Sequence, residues 1–361
     1  MPIIEVRTVQ RVYPAVVQYG ALDALGQYLP PKAGKLFVIT TEDVWRLYGE
    51  RVERALSGHC WDVLFFPGGE ERKRLSEVEI LAEQMVEKGG DRSSVVVAFG
   101  GGIVNDVGGF LAATFMRGVP VIQVPTTLLA QVDAGVGGKT GVNLTAGKNL
   151  IGAFHQPIAV LIDPGVLQTL PEREYRAGLY EVLKTGVIRN ERLFETMERH
   201  VSEILAREPE ILEEIVARSV EVKAEVVSAD ERESDLRRIL NFGHTLGHAL
   251  EAETGYSVLL HGEAVAFGMR AATRIAMWAG YLGESDGRRI LSLIDRYGPI
   301  PPVTGIRAEN LVTRLRMDKK TIQGTVHFVL PVRIGDVVVV SGLPEELILR
   351  ATEVTLSEIG G

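Results

Sequence analysis

The sequence predicts a Rossmann-like α/β domain with a parallel sheet, followed by a mainly α-helical domain. Three observations carry that expectation. Short, almost wholly apolar runs recur through the first half, each followed by a stretch of helical period. After Asp163-Pro164 such runs vanish, and long amphipathic patterns take over. The length, 361 residues, is more than twice the roughly 150 of a common domain. The expected domains are therefore residues 1–163 and 164–361.

The elements follow in order. Leu36-Phe37-Val38-Ile39-Thr40 is a buried strand, and Glu42 to Leu56 carries a helical period. Trp61 to Phe66 is a second strand, followed by a Gly-Gly turn and an amphipathic helix from Ser76 to Glu87. Strands over Ser94–Phe99, Val119–Val124 and Ile158–Ile162 complete the set. Apolar runs without polar alternation suit a parallel sheet covered on both faces. From Glu172 to about Arg296 apolar positions such as Ile211, Leu212, Ile215 and Val216 recur three and four apart. Val326–Leu330 and Val337–Val340 suggest a small hairpin, closed by a helix from Pro344.

Composition narrows the function. Asp and Glu number 47 against 39 Lys and Arg, a net charge of -8. That balance argues against a nucleic-acid backbone or an anionic membrane as partner, but leaves room for a small anionic ligand. A single cysteine, Cys60, excludes an internal disulfide and a cysteine-rich metal site, and is expected to be a half-buried structural residue. No apolar run is long enough to span a bilayer, and the first residues lack the layout of a signal peptide. The expected location is the cytoplasm.

Four segments offer chemistry. Phe99-Gly100-Gly101-Gly102-Ile103-Val104-Asn105-Asp106 puts glycines directly after a strand, where backbone can approach a phosphate at a helix N-terminus. The full GxGxxG spacing fails at Asn105, so the turn suits a ligand-free junction equally well. Between Gly118 and Ile162 the only charged side chains are Asp133, Lys139 and Lys148. Charges inside so apolar a stretch are expected to be buried and to grip oxyanions, or else to pair with carboxylates across a sheet edge.

The third segment holds His244 and His248 at i, i+4, with His261 close behind. Spacing alone makes His244 and His248 a metal pair, with His261 or a carboxylate as third ligand. Fourth, Glu181 and Lys184 share a helix face at i, i+3. They form either a surface ion pair or, given their apolar flanks, a functional one.

Taken in order, these pieces resemble the 3-dehydroquinate synthase family of sugar-phosphate cyclases. The resemblance runs from Gly69-Glu70-x-x-Lys73 to Asp318-Lys319-Lys320. Its most specific stretches are Gln123–Asp133, Val136–Asn143, Gly147–Phe154 and Leu240–His248. It implies an NAD-binding domain, a helical metal domain and an active site between them. It also implies zinc, or cobalt, on Glu181, His244 and His261, which turns His248 from ligand into a substrate and proton-transfer residue.

NAD contacts carry over to Glu70, Lys73, Gly101, Gly102, Ile103, Asp106, Thr126, Thr127, Leu129 and Lys148. Thr41 stands where many members have Asp, which leaves the adenosine ribose to Glu42 or Asp43. Substrate contacts carry over to Arg117, Asp133, Lys139, Asn149, Lys184, Lys223, Arg237, Asn241, His248 and one of Lys319 or Lys320. Of these Lys139, Arg237, Asn241 and His248, together with the proton acceptor Glu233, are the implied catalytic set.

The implied reaction converts 3-deoxy-D-arabino-heptulosonate 7-phosphate to 3-dehydroquinate and phosphate. It proceeds by transient oxidation, β-elimination, reduction, ring opening and aldol closure, in a homodimer. Two alternatives share the ingredients: another sugar-phosphate cyclase, and a metal-dependent NAD polyol dehydrogenase, which needs fewer cations.

Overall fold

The computed structural model describes residues 3–232, 236–321 and 326–360, with 316–321 as helix backbone only. The chain packs as two compact units. One comprises Met1–Leu170 with Leu212–Glu231, the other Pro171–Ile211 with Arg232–Gly361.

The first unit contains strands β1 (Ile3–Arg7), β2 (Val12–Val17), β3 (Leu36–Thr40), β4 (Trp61–Phe65), β5 (Val95–Gly100), β6 (Val121–Pro125), β7 (Lys139–Leu144), β8 (Gly147–Phe154) and β9 (Ala159–Ile162). Helices α1 (Glu42–Ala55), α2 (Leu75–Glu87) and α3 (Gly102–Thr114) connect them. Seven strands form one sheet in the order β1-β2-β9-β6-β5-β3-β4. Only the β1–β2 pairing is antiparallel.

Alternate residues of each central strand serve opposite cores. Phe37, Ile39, Val96 and Ala98 pack with Leu81 and Met85 of α2 and Val107 and Leu111 of α3. Leu36, Val38, Val95, Val97 and Phe99 pack with Val52 of α1 and with Leu22 and Leu25. Burial on both faces explains why these strands are runs of Val, Ile, Leu and Phe rather than alternating patterns.

Chain order reverses at β3, which pairs with β4 on one side and β5 on the other. At such a switch point the connections leave in opposite directions, and a crevice opens at the strands' carboxyl ends. Here that crevice is bordered by Thr40-Thr41 and Gly100-Gly101-Gly102.

The second unit is helical: α4 (Glu172–Arg189), α5 (Glu191–Arg199), α6 (Val201–Leu205), the start of α7 (Pro209–Ala229), α8 (His244–Glu253), α9 (His261–Trp278), α10 (Glu284–Tyr297), α11 (Ala308–Thr321) and α12 (Glu345–Ile359). The antiparallel hairpin β10 (His327–Arg333) and β11 (Asp336–Ser341) completes it. Its turn is tied to α4 by Gly335 N donating to Val187 O at 2.9 Å.

Three features depart from the sequence reading. From Leu212 onward α7 belongs to the first unit: its Glu213 accepts from Tyr19 N at 3.0 Å, and Ser228 accepts from Arg7 N at 2.9 Å. Helical periodicity identifies such a helix but not the neighbour it covers. The hairpins β1–β2 and β7–β8 carry no strong strand signal. Pro14 interrupts the first, and the second is rich in Gly, Lys and Asn. Cys60 is exposed rather than half-buried, because it precedes the edge strand β4. Among the described residues no helix is long and apolar enough to cross a membrane.

Candidate active site

In the second unit, five side chains from three helices converge. Glu181 and Lys184 lie on the middle of α4, only 1% and 2% exposed, and form an ion pair. The surface reading of this pair is therefore set aside. His244 opens α8, His248 follows one turn later, and His261 opens α9. Ligand atoms of the three imidazoles all lie within 4.8 Å of one another. His244 Nε2 is 4.0 Å and His261 Nε2 3.8 Å from Glu181 Oε1.

Glycines allow this convergence. A Cβ on Gly262, next to His261, would stand 1.9 Å from Ala177 O of α4. One on Gly268 of α9 would stand 1.7 Å from Gly243 O, just before His244. The three backbones meet at distances no side chain permits, which draws Glu181, His244 and His261 together.

The far edges of the imidazoles are anchored. His244 Nδ1 lies 3.2 Å from Phe242 O, and His261 Nδ1 lies 3.2 Å from Glu251 Oε2. With Nδ1 carrying the proton in each ring, both Nε2 lone pairs face Glu181. Burial first, then the Lys184 charge, holds His244 well below its ordinary pKa, so it stays neutral. Burial also presses His261 down, but its bond to Glu251 and the Glu181 charge outweigh that and leave it raised.

Glu181 Oε1 is buried and has no hydrogen-bond donor. A buried carboxylate oxygen without a donor is costly unless a cation faces it. Two imidazole nitrogens, one from a ring held neutral, and a carboxylate oxygen are a donor set of zinc or cobalt, so these residues fit a divalent metal. Glu251 is 4% exposed and was missed by the sequence reading. One signal was available: it continues the His244, His248 stripe at i+7 and i+3.

In the first unit the glycine turn lies at the switch point. Gly101 is the N-cap of α3, with no side-chain cap. Its Cβ would meet Thr127 at 3.1 Å, and one on Gly102 would meet Ala134 at 3.2 Å. Thr126 N donates to Gly100 O at 2.9 Å, which holds the segment after β6 against the turn. Glu42 and Asp43 are exposed at the start of α1, on the crevice's other rim.

Lys73, 3% exposed, reaches Asp106 and also donates to Asn149 Oδ1 at 2.6 Å. Burial, opposed by Lys73, pushes the Asp106 carboxyl up. Asp133 sits in the turn of π-helix at 130–134 and pairs with Lys223 of α7.

The expected burial of the lysines holds only in part. Lys148 is half-buried, but Lys139 is exposed, because it begins β7 where the hairpin leaves the core. Arg117 is also exposed, in a left-handed turn with Met116 (φ 69° and 49°). Arg237 is buried and Asn241 half-buried on the turn before His244. Glu233 and the side chains of Lys319 and Lys320 lie outside the described residues.

Family models cover most of the chain. "3-dehydroquinate synthase N-terminal" matches residues 63–177, and "3-dehydroquinate synthase C-terminal" matches 178–321. The chain belongs to the 3-dehydroquinate synthase family. A 3-dehydroquinate synthase of Solibacter usitatus is 60% identical, with 99% of this chain and 100% of that one covered. The family's enzyme from Koribacter versatilis is 49% identical over 97% of each chain.

Solved structures share the fold. A 2-epi-5-epi-valiolone synthase of Streptomyces hygroscopicus subsp. jinggangensis, with NAD+ and Zn2+ bound, has a TM-score of 0.87 at 33% identity, covering 96% of this chain and 97% of that one. A 2-deoxy-scyllo-inosose synthase complexed with carbaglucose-6-phosphate, NAD+ and Co2+ has 0.87 at 27%, covering 97% and 99%. A glycerol dehydrogenase of Schizosaccharomyces pombe, 17% identical at a TM-score of 0.69 and covering 99% and 90%, shows the fold alone.

Proposed function

We propose that this member of the 3-dehydroquinate synthase family converts 3-deoxy-D-arabino-heptulosonate 7-phosphate to 3-dehydroquinate and inorganic phosphate. In this reading it works as a cytoplasmic homodimer, without net consumption of NAD. The observation that carries it is the burial of cations: Lys184 and Arg237 are each 2% exposed and Lys223 8%. Lys184 and Lys223 already face Glu181 and Asp133, and buried pairs of this kind hold a charged ammonium in place for a substrate anion to share. A substrate with both a carboxylate and a phosphate requires such cations, whereas a neutral polyol does not.

Glu181, His244 and His261 would hold the divalent metal. The glycine turn, Ile103, Glu70, Lys73, Asp106, Thr126, Thr127, Leu129 and Lys148 would hold NAD, with Glu42 or Asp43 on the ribose. When bound, NAD supplies a hydride acceptor that is later restored, and the metal supplies a Lewis acid for adjacent hydroxyls.

The remaining work falls to the chain's own side chains. Arg117, Lys139, Lys184, Lys223 and Arg237 bind and orient the anionic groups, Asp133 holds the Lys223 ammonium in place, and Asn241 donates to substrate oxygen. His248, with its exposed imidazole beside His244, takes and returns a hydroxyl proton. Lys73 occupies Asn149 Oδ1, so Asn149 presents its Nδ2–H end to substrate oxygen. A ketone at C5 acidifies the neighbouring C6 proton, and the phosphate oxygen that departs can accept it. Holding the intermediate in one geometry then favours aldol closure over side reactions.

Incubation with the heptulosonate phosphate, NAD and zinc, with products identified by mass and NMR, tests the substrate. The reading requires 3-dehydroquinate. A different carbocycle, from a different sugar phosphate only, would move the chain to another branch of the cyclases.

A further inference from the structure

Asn143 belongs to none of the groups above, yet it touches both sides of the first unit's site. It lies 5% exposed in β7, where the pairing with β8 shifts register between Val142 and Leu144. Such a bulge releases one residue from the ladder and re-aims it. Its backbone N–H crosses instead to Lys73 O at 2.8 Å. Its side chain is fully used. Nδ2 donates to Glu70 Oε1 at 2.7 Å and to Glu70 O at 3.2 Å, and Oδ1 accepts from Asn149 N at 2.8 Å.

Asn149 receives that bond in a left-handed backbone, with φ 55°, a conformation asparagine adopts more readily than most side-chain-bearing residues. Its amide oxygen is fixed by Lys73, whose ammonium also reaches Asp106. One planar amide thus bridges the Glu70–Lys73 turn and the residue that presents a donor to substrate.

We propose that Asn143 is a positioning residue that couples the cofactor and substrate arms of the site. Ordering Glu70 and Lys73 around NAD orders Asn149 through Asn143, and substrate bound on Asn149 orders the turn in return. The proposal rests on the assignment of Glu70 and Lys73 to NAD and of Asn149 to substrate. Such coupling is reciprocal: each ligand tightens the other by the same factor, of about 5–150-fold in typical cases.

The test is titration calorimetry on the zinc-loaded protein with NAD and a phosphonate analogue of the substrate that cannot eliminate. The readout is the ratio of the NAD dissociation constants without and with saturating analogue. The wild type should give a ratio of several-fold or more, and Asn143→Ala a ratio near one. If Asn143→Ala proves unstable, Asn143→Asp, which keeps the oxygen that accepts from Asn149 N but loses the donor to Glu70, should likewise give a ratio near one, and a wild-type ratio there overturns the proposal. A ratio near one in the wild type overturns the proposal. So does an Asn143→Ala protein that binds both ligands more weakly at an unchanged ratio, because the residue would then be merely structural. Failure of Lys73→Ala to weaken NAD would instead refute the site assignment, and the coupling with it.

Discussion

Replacing Gly262 by alanine should cost the protein its metal before it costs the protein its fold. The added Cβ would fall 1.9 Å from Ala177 O, 2.6 Å from its carbonyl carbon and 3.0 Å from its Cα, all backbone atoms that cannot rotate away. Ordinary contact begins at 3.4 Å, so α9 must retreat from α4 locally by about 1.5 Å in a close-packed interior. His261 is the adjacent residue, and its Nε2 now stands 3.8 Å from Glu181 Oε1.

With His261 as the proposed ligand, a displacement of that size takes it out of reach, because metal ligands tolerate errors of roughly 0.2 Å. The loss of zinc affinity should exceed the roughly 10–100-fold that an outer partner is worth. Overpacking itself costs about 1–3 kcal/mol. Competition against a chromogenic chelator measures the affinity, and thermal unfolding of the metal-free proteins measures the stability. Ile275→Ala on the same helix is the control. It is fully buried and should lose about 2–5 kcal/mol while keeping its zinc affinity. A Gly262→Ala protein with wild-type zinc affinity would refute the reasoning.

Other outcomes follow from the same contacts. Glu251→Ala frees His261 Nδ1 and should weaken zinc by about 10–100-fold, read by the same chelator competition, with little change in NAD affinity. Lys139→Ala should keep the metal and lose about 10–150-fold in kcat/KM, the worth of one hydrogen bond to a charged group, and full activity would remove Lys139 from the site. Burial holds the His155 imidazole below its ordinary value of 6.5, so the unfolded chain takes up a proton that the folded chain refuses. That stability is present above pH 6.5 and is lost as the pH falls below it. Urea unfolding of His155→Gln should show a shallower acid slope than wild type. Equal slopes would count against a depressed imidazole.

The parts of the fold legible in the sequence were those where local pattern and tertiary burial agree. Phe37 to Ile39 and Val95 to Phe99 face apolar neighbours on both sides, and their composition says so. The β7–β8 hairpin was not legible, because its pairing depends on a cross-strand glycine pair, Gly141 and Gly152. A Cβ on Gly152 would come within 2.2 Å of Thr140 O, so glycine, a weak strand former, is what lets the strands meet.

The site divides the same way. His244 and His248 announce themselves by i, i+4 spacing, and Glu181 with Lys184 by i, i+3. Nothing local joins α4 to α8 and α9; only the packing at Gly262 and Gly268 does so. The motif resemblance put Glu181 and His261 beside His244, where spacing alone had paired His244 with His248 and left the third place to His261 or a carboxylate. All four side chains converge in the structure. Glu251 and Asn143 escaped because Glu in a helix and Asn near a turn look like solvated residues.

The central claim is that the oxidation is transient, and the ratio of phosphate released to NADH accumulated tests it most directly. With zinc, excess heptulosonate phosphate and substoichiometric NAD, the account predicts many phosphates released per NAD and no net NADH absorbance. Stoichiometric NADH without phosphate would contradict it and make the protein a polyol dehydrogenase on a shared fold.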